Sequence, residues 1–355
     1  MKHLITGALT AALLTSTAAT AWAQDATYTL RATANSNEND EDYDGLVVFK
    51  NYVEAASNGA IEVEMFIGTQ LCSTGEECLE GVSEGSIDIY IATSGGTASL
   101  FPFVQVLDLP YLMADDRVAE SVLDNGSPFV GTLRDMVREA SGDSIRLMTI
   151  GNTGGWRNVA NVTKTIRTPD DLTGLKIRTV PAELPQVLAT AWGAAPTAIP
   201  WPELFTSLQT GVVEGTANGI TDIMSMKFPD AGLKYLTLDQ HAYMGALWFM
   251  NNAKFMDMPE DMRKIVADGF YQLQQATFAS PKRKSIEAYA AFAEAGGEVY
   301  VPTAEEKQAF QDAAAPVQDW FRENVDGGSE ALDALLASVE EVNARLAAEY
   351  ETELN

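Results

Sequence analysis

Two hydrophobic periods alternate along the chain. Tyr28–Ala34, Ile61–Ile67 and Ile87–Ala92 carry the alternation or the short apolar runs of strands, and Ile145–Ile150, Leu175–Thr179 and Val212–Thr216 repeat the pattern. Between them, Leu46, Phe49, Val53 and Ala56 fall at helical spacing, and Asn58-Gly59 stops that helix. Leu79 to Gly85, Glu183 to Trp192 and Pro202 to Gly211 read as short helices, and Arg117 to Ala140 as a helix broken near Gly126 to Pro128. Ile150 runs into a Gly-Gly-Trp-Arg turn. Leu233–Leu238 and Ala242–Asn251 read as two more strands. Met258 to Ala295 is the longest helical run, and Pro281 inside it predicts a kink. Val299–Val301 is a late strand, and the chain from Ala304 onward is helical. Strands and helices alternate nearly throughout, which makes the class α/β. No internal repeat or long linker interrupts the pattern, and 355 residues predict two domains that exchange chain more than once.

Charge and compartment narrow the function. The formal net charge is −27, from 50 acidic and 23 basic residues. That excludes nucleic acid and anionic membrane surfaces as partners, since both demand a basic face. Residues 1–23 read as a secretory signal: Lys2 and His3, an apolar stretch rich in small residues, then Ala21-Trp22-Ala23 as the cleavage site. The mature chain is expected to start near Gln24, in the periplasm, with no membrane insertion after cleavage. The two cysteines, Cys72 and Cys78, then face an oxidising compartment, where a disulfide closing a short loop is expected; the alternative is two buried free thiols. Two cysteines and two histidines are too few for a cysteine/histidine zinc site.

Candidate chemistry concentrates between Gly154 and Asn218. Gly154-Gly155-Trp156-Arg157, Gly174-Leu175-Lys176-Ile177-Arg178, Pro200-Trp201-Pro202-Glu203 and Ala217-Asn218-Gly219 bring two arginines, tryptophans and an amide into one stretch of a cation-poor chain. A guanidinium matches a carboxylate at two points, an indole is a flat apolar wall, and an amide reads a hydroxyl or carbonyl. Each has a plainer reading: Arg178 as a surface residue, Arg157 paired with a nearby carboxylate, Trp201 as core, Asn218 as a helix N-cap. Thr93–Thr97, the loop after the third strand, is a further candidate site, as are Asn37 and Glu38 after the first. Gly95-Gly96 lacks the spacing of a dinucleotide fingerprint, and no cofactor is called for.

With these residues in view, the chain resembles an extracytoplasmic solute receptor of the TRAP transporter family. Asp170-Asp171-Leu172-Thr173-Gly174-Leu175-Lys176-Ile177-Arg178 and Leu208-Gln209-Thr210-Gly211-Val212-Val213-Glu214-Gly215 carry the resemblance, with Gly68-Thr69-Gln70-Leu71, Gly85-Ser86-Ile87-Asp88 and Asp108-Leu109-Pro110-Tyr111. Glu214 stands where the family usually has Asp, and Ala217-Asn218-Gly219 where it often has Glu-Asn-Pro. The resemblance implies a two-lobed α/β binding-protein fold with crossing strands and a long kinked helix linking the lobes. It implies lobe I from 24–153 plus 244–282 and lobe II from 154–243 plus 283–355. Arg178 falls on the carboxylate clamp, Arg157 on a second arginine near the ligand, Trp201 on the packing aromatic and Asn218 on the amide ligand, with Trp156, Thr97 and Asn37 as further site candidates. Members that hold a metal carry tryptophan at the position of Asn218, so no metal is expected. The partners would be a small organic acid and the small and large permease subunits, and the receptor a monomer. The ligand stays open among dicarboxylates, uronates and other sugar acids, aromatic acids, sulfonates and zwitterions such as ectoine.

The rival is a periplasmic hydrolase of small acidic substrates. Asp115-Asp116 and Asp170-Asp171 are paired carboxylates, but they fall in turns where solvated acids are ordinary. No G-x-S-x-G elbow occurs, and His241 sits in no triad or metal motif, which leaves it a structural histidine.

Overall fold

The computed structural model describes residues 26–354. The expected signal segment, residues 1–23, lies outside the described residues. Nine strands form one mixed sheet: β1 Tyr28–Ala34, β2 Ile61–Ile67, β3 Ile89–Thr93, β4 Ile145–Asn161, β5 Lys176–Thr179, β6 Ala195–Ala198, β7 Gly215–Asn218, β8 Tyr235–Asn251 and β9 Glu298–Tyr300. Their order is β2-β1-β3-β8-β4-β7-β5-β6, with β9 beside β8.

Two 17-residue strands, β4 and β8, run antiparallel through the middle of the sheet. Their Ile145–Asn152 and Gly245–Asn251 ends join the parallel group β2-β1-β3. Their opposite ends, Trp156–Asn161 and Tyr235–Tyr243, join the group β7-β5-β6. Each group is one lobe, and both lobes are hydrogen-bonded to the same two strands.

The sequence pattern breaks both long strands: it predicts that β4 ends at a Gly-Gly-Trp-Arg turn and that β8 is two strands. The register instead shifts between Asn152 and Trp156 and then resumes. Gly154 and Gly155 take φ of 73° and 82°, a region that favours glycine, so the strand bends without ending. Asn152 serves the backbone loosened there: its Nδ2 donates to Met244 O at 3.0 Å and to Gly155 O at 3.2 Å, and its Oδ1 accepts from Gly155 N at 2.9 Å.

The long helix spans Glu260–Glu294 with Pro281 inside it. It lies against the helix Glu41–Ala56, where Phe270 meets Phe49 at 4.5 Å. Gln274 on its buried face donates to Leu123 O at 2.9 Å and Ile150 O at 2.8 Å, tying it to the sheet. The last helix, Gly328–Leu354, departs from the expected division, which groups it with 154–243. It packs on the helices Asp116–Val122 and Pro128–Ala140 of the first lobe, burying Leu332 and Leu335, while Arg117 pairs with Glu349 at 3.2 Å. Its apolar stripe has to be covered, and those two helices present the matching face.

Cys72 and Cys78 are joined as a disulfide, both buried, across the turn that follows β2. Thr74 caps the helix Gly75–Glu84 inside that closed loop by accepting from Glu77 N. Converting both cysteines to serine is expected to lower unfolding stability by about 2 kcal/mol, the loop entropy released to the unfolded chain. Urea unfolding of the double variant, compared with the parent, measures it.

Candidate ligand-binding site

The parallel strands of the two lobes end facing each other. β3 ends at Thr93, β5 at Thr179 and β7 at Asn218. Backbone groups run out at such strand ends, so side chains and ligands collect there. A cavity of about 300 Å³ lies between them, walled by Thr93 and Gly95 on one side, Arg178, Trp201 and Asn218 on the other, and Thr153 and Arg157 of the crossing strand.

Arg178 sits on β5 between Thr197 and Thr216 of its neighbours and is 3% exposed. Alternation puts it on one face with Lys176; the structure exposes Lys176 at the strand's start and buries Arg178 beside the cavity. Its Nε donates to Ile199 O at 2.9 Å, while Nη2 is buried with no partner. The guanidinium lies 5.7 Å from the Trp201 ring, which packs edge-on against Phe228 at 5.6 Å. Burial, then the neighbouring Arg157, lowers the Arg178 pKa to about 9, so it remains a cation at neutral pH.

Arg157 is also buried, but its charge is answered. Its Nε donates to Asp108 Oδ1 at 3.2 Å and its Nη1 to Ala217 O at 3.1 Å, and Ser94 Oγ donates to the other oxygen of Asp108. Ser94 belongs to a short helix, Ser94–Thr97, where the sequence predicts a loop.

Asn218 is the last residue of β7 rather than a helix cap; Gly219 holds the N-cap position of the helix Ile220–Ser225. Its side chain accepts from Thr216 Oγ1 at 2.7 Å and donates to Asp222 Oδ2 at 3.2 Å.

Three expected site residues lie away from the cavity wall. Trp156 Nε1 donates to Asp116 Oδ1 at 2.7 Å, and its ring meets Tyr243 edge-on beside Pro281 and Lys282. Thr97 is fully buried, its hydroxyl donating to Ser94 O. Asn37 reaches across to the end of the helix Ile220–Ser225, donating to Ser225 O at 3.2 Å. His241 has a partner the sequence does not reveal: Nδ1 lies 2.6 Å from Asp239 Oδ2, with Trp192 edge-on.

The residues missed by sequence reasoning are acids. Asp40 and Asp42, at the start of the helix Glu41–Ala56, and Asp222 of the helix Ile220–Ser225 all line the cavity and are at least nine-tenths buried. Asp40 is the N-cap, accepting from Asp42 N and Thr153 Oγ1, both at 3.2 Å. Asp42 Oδ2 accepts from Ser36; its Oδ1 is buried without a partner. Glu41 lies behind them, with Gly154 N donating to Oε2 and Oε1 unpartnered. Carboxylate oxygens of Asp40, Glu41 and Asp222 lie within 4.8 Å of one another. Burial, then repulsion by Glu41, raises the Asp40 pKa to about 7. Burial, then Asp40, holds those of Asp42 and Asp222 well above the ordinary carboxylate range. The run Asn39-Asp40-Glu41-Asp42 reads as a polar loop and helix start. A helix cap three residues deep in acids is its one signal.

Protonation of this cluster ties stability to pH. Asp40 faces Glu41 and Asp42 of its own helix, Asp222 across the cleft, Thr153 of β4 and Lys284 of the long helix. Its pKa rises on folding from 3.8 to about 7, so within that window the folded chain holds more protons than the unfolded one. Unfolding free energy therefore falls as pH rises through the window. Asp40→Asn is expected to flatten that fall. Urea unfolding of both proteins between pH 5 and 8 checks it; parallel curves would mean that Asp40 is ionised throughout.

Comparison with known proteins agrees with this architecture. The bacterial extracellular solute-binding protein family, family 7, matches residues 32–324. The 2,3-diketo-L-gulonate-binding periplasmic protein of Escherichia coli is 29% identical over 316 residues, 87% of this chain and 92% of its own. The ectoine-binding periplasmic protein of Halomonas elongata is 27% identical over 318 residues, covering 86% and 89%. Among solved structures, the sugar acid binding protein of Advenella mimigardefordensis with galactonate matches with a TM-score of 0.83 at 23% identity, over 90% of this chain and 100% of that one. Such neighbours are substrate-binding receptors rather than enzymes, which sets the hydrolase alternative aside. The crossing strands, the facing strand ends and the match over residues 32–324 place this chain in the bacterial extracellular solute-binding protein family 7, the receptors of TRAP transporters.

Proposed function

We propose that the chain is a periplasmic receptor that captures a small organic acid between its lobes and delivers it to the TRAP permease. The observation that carries this reading is Arg178. It is a buried cation whose Nη2 has no protein partner, held by one bond to Ile199 O beside a tryptophan face. A guanidinium taken out of water needs a counter-charge, and a ligand carboxylate supplies one in two-point geometry. Trp201 then walls the ligand and Asn218 reads a polar substituent. Arg157 adds field from behind, its own charge being satisfied by Asp108.

The lobe boundaries in this reading run near residues 153/154 and 243/244, beside the register shift of β4 and β8. Residues 283–324 belong with the second lobe and the helix Gly328–Leu354 with the first. Bending at Gly154-Gly155 opens and closes the cleft, and closure excludes water from the Arg178 contact, which strengthens it. The relatives are named for binding 2,3-diketo-L-gulonate and ectoine, which supports a small organic ligand here.

Two variants test the reading. Arg178→Ala is expected to abolish the thermal stabilisation that a bound organic acid gives. At a thousand times its Kd such a ligand adds about 4 kcal/mol, several degrees of midpoint. A ligand whose shift survives in the variant would remove Arg178 from the site. Gly95 and Val180 touch across the cleft, and a Cβ on Gly95 would lie 2.1 Å from Val180 Cγ2. Gly95→Ala is expected to weaken binding by roughly ten- to a hundredfold, because overpacking of about 1–3 kcal/mol falls on the closed state alone. Calorimetric titration reads it; unchanged affinity would mean that binding does not need this closed contact.

A further inference from the structure

We propose that the Cys72–Cys78 disulfide is a positioning element of the binding site: it holds the loop 72–78 in place as one wall of the cavity, and ligand affinity depends on it. This rests on the receptor reading above and adds to it a determinant of affinity on the opposite lobe from Arg178.

Four consecutive residues inside the closed loop, Ser73, Thr74, Gly75 and Glu76, border the cavity. The bridge joins the residues that flank this stretch and is itself buried. Asn35, where the chain leaves β1, borders the same cavity, and its Nδ2 lies 3.6 Å from Cys78 Sγ. The bridge therefore touches one stretch of the lining and closes another.

The loop's own hydrogen bonds do not fix it to the cavity. Glu77 Oε2 accepts from Ser73 N and Ser73 Oγ, both at 2.8 Å, and Thr74 Oγ1 accepts from Glu77 N at 3.2 Å. None of these bonds reaches another element. The contact with the neighbouring wall is backbone on backbone: a Cβ on Gly75 would lie 1.8 Å from Gly96 O, and Gly96 belongs to the cavity-lining helix Ser94–Thr97. A contact of this kind has no side chain to lock it, so the loop's position has to come from its ends.

The two ends are held differently. At the far end of the helix Gly75–Glu84, Asn251 Nδ2 donates to Val82 O at 2.7 Å, and Leu79 and Val82 are buried. At the near end Ser73, Thr74, Glu76 and Glu77 are exposed, and the covalent link to Cys72 draws them across Gly96. The bridge spans only six positions, so it removes less entropy from the unfolded chain than a long-range disulfide would. Its local consequence is larger. The residues it orders are lining residues, and any freedom returned to them has to be removed again when a ligand is enclosed, at the expense of affinity.

Two variants of the mature protein test the proposal. Cys72→Ser/Cys78→Ser opens the loop, while Gly75→Ala keeps the bridge and forces the loop away from Gly96 O. Val342→Ala, buried on the last helix, is the control for stability loss alone. The first readout needs no ligand. Amide hydrogen exchange over residues 94–99 is expected to be at least about tenfold faster in the double variant than in the control. The second readout is calorimetric titration with succinate, galactonate, 2,3-diketo-L-gulonate and ectoine. The tightest wild-type binder among them is expected to bind at least about tenfold more weakly in both loop variants and unchanged in Val342→Ala. Circular dichroism and urea unfolding establish that each variant folds; a double variant that does not fold would make the bridge a staple of the fold and sink the positioning role. Exchange over 94–99 equal to the control, or affinity kept in the double variant, would overturn it too, the latter even where Gly75→Ala loses binding, since the wall would then matter and the bridge not. Binding that survives Arg178→Ala, or binding of none of the four probes, would count against the receptor reading instead, and exchange over 94–99 then decides the role of the bridge.

Discussion

The fold depends on the ladder between β4 and β8. Two strands of 17 residues pair along almost their whole length, and each lobe's parallel strands are added to one end of that pair. Neither lobe has a complete sheet without the other's crossing strands. What separates the lobes is a local change of register, where two glycines at positive φ and the side chain of Asn152 keep the backbone bonded while its direction changes. The cleft is therefore a bend in a continuous sheet. The residues that reach it come from strand ends on both sides and from the bend itself.

That origin explains why so much charge is buried there. Strand ends and helix starts bring polar side chains inward, and the helix Glu41–Ala56 begins at the cleft with Asp40, Glu41 and Asp42 all buried. A helix N-terminus favours negative charge, so its own backbone offsets part of the desolvation. The remainder falls on the protonation equilibria, which is why Asp40 titrates near neutrality. Asp222 and Asn218 extend the same network from the other lobe. Acids of both lobes thus meet in one buried cluster.

Much of the architecture was legible in the pattern of apolar positions. Tyr28–Ala34 and Ile61–Ile67 read as the strands that form, and Pro281 lies inside the long helix as expected. Reading failed where glycine or one polar residue stood inside a longer element. Gly154-Gly155 looked like a turn because glycine usually ends a strand; here a bulge absorbs it. Asp239 hid the continuity of β8, because a carboxylate in mid-strand looks like a solvated break. It is fully buried instead, accepting from Val159 N and pairing with His241. In the site, Arg178, Trp201 and Asn218 come together although distant in sequence, because β5 and β7 are neighbours. Trp156, Thr97 and Asn37 do not join them, since side-chain direction is invisible to spacing. The acidic wall was missed because a buried carboxylate and a solvated one read alike.

The two arginines show how identical side chains divide one task. Arg157 sits on the crossing strand, bonded to Asp108 of one lobe and to the Ala217 carbonyl of the other. It fastens the lobes, and Asp108 answers part of its charge. Its presence beside Arg178 nevertheless disfavours the Arg178 cation, the second largest influence on that group after burial. A buried cation that is pushed from behind by another cation, and held by a single carbonyl, gains more from an incoming carboxylate than an isolated one would. In the proposed reading Arg157 would act on a ligand through Arg178: its pairing with Asp108 fixes the geometry, and its residual field would sharpen the demand for an anion in front.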